Sequence, residues 1–176
     1  MTGALYLIGL PATGKTTLGT AVHAAAGIPF VDLDATIEAR LDMSVSEIFA
    51  RMGEDVFRRI ESEELRRLGA AGGLIACGGG TPCRDGNMDY MLATGCVVCL
   101  HADRRVILAR MAVQAGLRPL AGQSPAEAEA YLDACERERG ACYARAHCTF
   151  DSSRLDTPAE IEETTARFIQ EFIKDN

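Results

Sequence analysis

A chain of 176 residues, 48% hydrophobic and 24% charged, is long enough to bury a core and is expected to form one domain spanning residues 1–176. Its net charge of −7 disfavours an extended nucleic-acid surface, and no apolar run approaches the ~20 residues of a membrane span, so neither partner is expected. No basic stretch followed by a cleavable apolar one opens the chain, so a cytoplasmic location is expected, and any anionic substrate needs a local cluster of Lys and Arg.

"ALYLIG" is a continuous apolar run, expected to be a strand covered on both faces. "GLPATGKTT" follows, and Lys15 to Ala26 reads as a helix stopped by Gly27. "IPFVDLD" is a second strand. Ser44 to Glu47 has capping-box spacing and introduces "SEIFARM". After Gly53 a longer helix sets Val56, Ile60 and Leu68 on roughly one face. "GGLIACGGG" is a third strand running into glycines, and "GCVVCLH" is a fourth with a helix on either side. Val113 to Gln123 lacks clear structure and reads either as a surface loop or as a mobile lid. Ser124-Pro125-Ala126-Glu127 starts another helix, "HCTFDSS" is a fifth strand, and Thr157-Pro158-Ala159-Glu160 caps the last helix. Strict alternation with buried strands predicts an α/β fold around a parallel sheet.

Gly9-x-x-x-x-Gly14-Lys15-Thr16 matches the Walker A pattern between a strand and a helix. The backbone N–H groups of Ala12, Thr13, Gly14, Lys15, Thr16 and Thr17 can turn toward phosphate oxygens. Lys15 reaches the terminal phosphates and the Thr16 hydroxyl can ligate Mg²⁺. The magnesium aspartate usual at the end of the third strand is missing. Asp32 and Asp34 stand instead on the second strand, where i and i+2 share a face. One can organise a metal's water shell and the other accept a proton, or Asp34 can simply cap a helix beginning at Ala35. No Asn-Lys-x-Asp guanine motif follows, and the chain is short for a motor, which leaves the small P-loop kinases.

Of Arg58 and Arg59 at most one need face inward. Arg58 has Glu61 as an i,i+3 brace, whereas Arg59 reads as a solvated charge. "ERERGACYARA" offers Arg137, Arg139 and Arg145. The seven cysteines are expected to be reduced, and Cys96 and Cys99 of the C-x-x-C point to opposite faces of a strand, against a metal or redox role.

"GLPATGKTT", "FVDLDATIE", "GEDVFRRIE", "CGGG", "LRPL" and "ERERGACY" occur in the order and approximate spacing of the shikimate kinases, which the chain resembles over nearly its whole length. The resemblance implies a three-layer fold like that of nucleoside monophosphate kinases. Its five parallel strands run in the order 2-3-1-4-5, with helices on both faces and a lid at about 112–124. It implies transfer of the ATP γ-phosphate to the 3-hydroxyl of shikimate in chorismate and aromatic amino-acid biosynthesis, with Mg²⁺ as cofactor and a monomer as the working form. By the same resemblance Asp34 bonds the shikimate hydroxyls and assists deprotonation, and Arg58 and Arg139 hold the carboxylate. Gly79 and Gly80 approach the ring, Asp32 reaches Mg²⁺ through water, and Lys15 and Arg118 neutralise the transferring phosphate. Arg110 stacks on adenine and Arg154 touches the nucleotide. Ala12 stands where Gly or Ser is more frequent and is tolerable if its φ is negative. Ala121 stands where a second Leu is frequent. A gluconate kinase, which needs no pair of arginines for a ring carboxylate, and a non-catalytic nucleotide-binding regulator are the alternatives.

Overall fold

In the computed structural model, which describes residues 3–117 and 124–173, five strands form one sheet: β1 (Ala4–Ile8), β2 (Phe30–Asp32), β3 (Gly73–Ala76), β4 (Gly95–His101) and β5 (Cys148–Asp151). All neighbours are parallel and the order is β2-β3-β1-β4-β5, as the resemblance implied. The helices are α1 (Lys15–Ala26), α2 (Leu33–Leu41), α3 (Val45–Met52), α4 (Glu54–Ala71), α5 (Asn87–Thr94), α6 (Arg104–Leu117), α7 (Pro125–Tyr143) and α8 (Pro158–Phe172), with a 3₁₀ turn at Thr81–Cys83.

Alternation along the strands divides the core into two layers. Tyr6, Ile8, Ile75 and Val97 meet Phe57 and Leu65 of α4 and Met91 of α5 on one face. Leu5, Leu7, Leu74 and Val98 meet Leu18 and Val22 of α1 and Phe168 of α8 on the other. Cys99 belongs to the first layer and Cys96 packs on the second, so the C-x-x-C is split across the sheet as its spacing requires.

Local signals set the helix starts. Ser44 with Glu47, Ser124 with Glu127 and Thr157 with Glu160 each form a reciprocal capping box. Gly27 ends α1 in the left-handed region at φ 69°.

Four expectations need correction. The second strand stops at Asp32, whose side chain accepts from the Ala35 amide at 3.2 Å and so caps α2. Asp34 therefore lies in the first helical turn and neither extends the strand nor caps the helix. The buried stripe of α4 runs through Phe57, Glu61, Glu64, Leu65 and Leu68, while Val56 and Ile60 are only half-buried. Two carboxylates on that stripe defeat a reading based on apolar periodicity. Helix α6 continues to Leu117, so Val113 to Leu117 is not a loop. Ala12 has φ 59°, in the left-handed region, which costs an L-residue about 1–2 kcal/mol.

Strands β1 and β4 come together with Ala4 opposite Gly95, and a Cβ at Gly95 would lie 2.0 Å from the Ala4 carbonyl oxygen. Gly95→Ala is expected to destabilise the fold by about 1–3 kcal/mol. Thermal denaturation should show Tm falling by roughly 2–12 °C, since about 1 kcal/mol moves a chain of this size by ~2–4 °C.

Candidate active site

At the C-terminal end of β1 the chain turns through Gly9 at φ 142°, Ala12 at φ 59° and Gly14 at φ 87° before α1 begins. This path is fixed from inside and outside. The buried Thr13 hydroxyl donates to the Leu10 carbonyl at 2.9 Å, and the Ser152 hydroxyl, just after β5, donates to the Thr13 carbonyl at 2.7 Å. Lys15 Nζ lies across the loop, donating at 2.9 Å to the carbonyls of both Gly9 and Leu10. Enclosure of this ammonium pushes its pKa down to about 8, opposed by Cys77, Asp34 and Asp32 nearby. It thus keeps its charge at neutral pH while sitting where loop amides and a helix N-terminus favour an anion.

The Thr16 hydroxyl donates to Asp32 Oδ2 at 2.7 Å. A hydroxyl and a carboxylate side by side at a phosphate loop suit Mg²⁺, a hard cation that takes one or two protein oxygens beside phosphate oxygens and water. Among the described residues no group of three His, Cys, Asp or Glu gathers, and a magnesium ion carried in with a nucleotide requires none.

The second half of the site is the turn Gly78-Gly79-Gly80 after β3. A Cβ on Gly78 would stand 2.8 Å from Asp34 Oδ1, one on Gly79 2.7 Å from an Arg139 Nη, and one on Gly80 3.1 Å from an Arg58 Nη. Three successive residues without side chains thus admit three charged groups from α2, α7 and α4 to one short stretch of backbone. Asp34, Arg58, Gly79, Gly80 and Arg139, far apart in sequence, are thus brought to one place.

Each group is held. Arg58 Nη1 donates to Glu61 Oε2 at 2.9 Å and its Nε to Glu54 Oε1 at 3.3 Å, with the guanidinium 5.2 Å from the centroid of the Phe57 ring. Glu61, only 1% exposed, also accepts from the Thr81 hydroxyl at 2.5 Å, so it ties Arg58 to the segment following the glycines. Asp34 has a pKa raised to about 6, first by burial and then by the carboxylates of Glu61 and Asp32, with Lys15 opposing. Arg59 is exposed.

Arg110 of α6 points at the phosphate loop. It donates to Asp156 Oδ1 at 2.7 Å, to the carbonyls of Ser152 and Ser153, and weakly to Ala12 at 3.4 Å. Arg110 lines a cavity of about 400 Å³ with Ala12, Gly14, Thr17, Leu155 and Asp156. Arg154 does not line this cavity. Its side chain is 58% exposed and pairs with Glu163 at 3.0 Å and Glu160 at 3.8 Å on α8. Arg118 and the rest of the expected lid from 118 to 123 lie outside the described residues.

Sequence reading passed over Tyr143, although it stands in "ERERGACY". Its hydroxyl donates to the Gly79 carbonyl at 2.6 Å, with the Gly9 carbonyl at 3.2 Å sharing the proton. Its only local signal was an aromatic residue one helical turn after Arg139. Ser152 and Asp156, which brace the phosphate loop and Arg110, were missed for the same reason: their partners lie 42 or more residues away.

Comparison with known proteins adds a family to this geometry. The shikimate kinase family model matches residues 11–174. A shikimate kinase of Parabacteroides distasonis is 35% identical over 161 residues, covering 90% of this chain and 93% of its own. The crystal structure of shikimate kinase from Bacteroides thetaiotaomicron superposes with a TM-score of 0.85 at 32% identity, covering 95% of this chain and 96% of that one. Shikimate kinase from Acinetobacter baumannii in complex with shikimate gives a TM-score of 0.80 at 26% identity, over 97% and 92% of the two chains. With a Walker loop, an all-parallel sheet of matching order and a relative aligned over nine-tenths of its length, the chain belongs to the shikimate kinase family.

Proposed function

We propose that this chain transfers the γ-phosphate of ATP to the 3-hydroxyl of shikimate, giving shikimate 3-phosphate and ADP. The observation that carries the reading is the glycine turn at 78–80, whose three successive residues are faced by Asp34, Arg139 and Arg58 in turn. Two guanidiniums beside one carboxylate suit a ligand with an acid group at one end and hydroxyls at the other. The loop from Gly9 to Thr17 supplies the phosphate-holding half, and the cavity beside Arg110 suits a flat base.

Within this reading Arg58 and Arg139 fork onto the substrate carboxylate, and Glu61 keeps Arg58 in place. Asp34 accepts a hydrogen bond from the attacking hydroxyl and aligns it. The ammonium of Lys15 leaves the Gly9 and Leu10 carbonyls for the transferring phosphate, whose charge it offsets as the bond to ADP lengthens. Thr16, with Asp32 through water, would hold Mg²⁺, which when bound neutralises phosphate charge. Arg118 is assigned from the resemblance to close over the γ-phosphate, and the resemblance likewise assigns Arg154 to the nucleotide. The working form is taken as a cytoplasmic monomer of one domain. Among the described residues no helix is long and apolar enough to cross a membrane.

The direct test is ADP release from Mg²⁺–ATP with shikimate, gluconate, a nucleoside monophosphate or no acceptor. Turnover with shikimate alone is expected, and turnover with gluconate or a nucleotide instead would overturn the substrate assignment. Arg58→Ala and Arg139→Ala should each raise KM for shikimate by about 10- to 100-fold, since a charge-assisted hydrogen bond contributes roughly 1.5–3 kcal/mol. ADP binding, read by calorimetry, should stay within twofold of wild type. The pH profile follows from the two shifted groups. Protonation of Asp34 removes its acceptor below its pKa of about 6, and deprotonation of Lys15 removes its charge above about 8. Thus kcat/KM should form a bell with limbs near those values. A profile flat between pH 5 and 7 would remove Asp34 from the reaction.

A further inference from the structure

We propose that Tyr143 is a positioning residue whose hydroxyl sets the spacing between the phosphate-holding and acceptor-holding halves of the site. The proposal rests on the kinase reading above. Tyr143 is the last residue of α7, and its ring is buried in the core layer that also contains Cys77 and Phe57. From there the hydroxyl donates to two backbone carbonyls, that of Gly79 at 2.6 Å and that of Gly9 at 3.2 Å, and it lies beside the Arg139 guanidinium.

Both acceptors are placed where a shift would matter. The Gly9 carbonyl also receives Lys15 Nζ at 2.9 Å, so it fixes the resting position of the ammonium. Gly79 is the residue whose missing Cβ makes room for Arg139, and that same Cβ position lies 3.7 Å from the Tyr143 oxygen. Hydroxyl, Arg139 guanidinium and glycine turn therefore form one contact. Among the described residues no other side-chain hydrogen bond joins the loop at 9–14 to the turn at 78–80. Burial holds the phenol well above its ordinary pKa, and the Arg139 charge does not reverse this. The hydroxyl thus remains a donor throughout the neutral range.

Removing it deletes none of the ligand-holding groups. Lys15 and Thr16 still serve the nucleotide, and Arg58, Arg139 and Asp34 still serve the acceptor. What is lost is the register between the two sets, and a misplacement of about 1 Å between reacting groups lowers rates by ~10²-fold. The effect belongs in kcat more than in either KM.

Tyr143→Phe keeps the buried ring and deletes only the hydroxyl. Steady-state kinetics should show kcat lowered about 10- to 100-fold, with KM for ATP and shikimate each within threefold of wild type. Tyr6→Phe is the control, because it deletes another hydroxyl, bonded to Thr94 at 2.9 Å, from the opposite end of the sheet. Its kcat, referred to the folded fraction from a thermal melt, should equal wild type. Site-specific 4-aminophenylalanine at 143, which restores an N–H donor, should bring kcat back to within threefold, and it serves as the test if the Phe variant does not fold. The proposal is overturned by a Tyr143→Phe kcat within twofold of wild type, or by a loss confined to KM for shikimate. It is equally overturned by a folded aminophenylalanine variant that stays slow. Wild-type turnover with shikimate is measured first. Its absence would sink the kinase reading itself, whereas failure of the positioning role appears only in the ratio of variant to wild type.

Discussion

A carboxylate sealed from water without partners would carry a desolvation penalty of several kcal/mol. Glu61, 1% exposed on the inner face of α4, avoids it by accepting from Arg58 and from Thr81. These two bonds organise the acceptor half of the site. One stops the Arg58 side chain from leaning out toward solvent, and the other pins the first residue after the glycines. The turn at 78–80 is then held at its far end by Thr81 and at its middle by Tyr143, and the backbone facing Asp34 and Arg139 has little room to move. The same buried negative charge also raises the pKa of Asp34, so one group both holds Arg58 and tunes the neighbouring acid.

The phosphate half is arranged by different means. Here backbone carries the chemistry, and the side chains around it serve mainly to hold its shape. Ser152 and Arg110 grip the loop from the β5 side, and Tyr143 touches its first residue from α7. This bracing accounts for Ala12 occupying a left-handed conformation: strain of about 1–2 kcal/mol persists when the surroundings over-determine the backbone. The lowered pKa of Lys15 has the same origin, because a loop that closes around an ammonium also strips its water.

The local signals were legible. Apolar runs gave the strands, and the pairings Ser44–Glu47, Ser124–Glu127 and Thr157–Glu160 gave three helix starts, because a capping box is a contact between residues three apart. The Walker spacing gave the loop for a similar reason. Misreadings arose where a local pattern admitted two outcomes. Asp32 and Asp34 looked like one face of a strand until Asp32 was seen to cap α2. The α4 stripe was traced through Val56 and Ile60 because buried glutamates are invisible to hydrophobic periodicity.

By itself, then, the sequence determined the order of elements, the phosphate loop and the family, since each depends on residue types within a few positions of one another or on motifs in fixed order. Only the tertiary structure decided which side chains share the glycine turn, that Glu61 lies buried between Arg58 and Thr81, and that Tyr143 joins Gly79 to Gly9. Apart from the Arg58–Glu61 brace, which joins residues three apart, those contacts link residues 20 to 134 positions apart. They exist because parallel strands deliver their C-terminal loops to one edge of the sheet, where helices crossing from elsewhere in the chain can reach them.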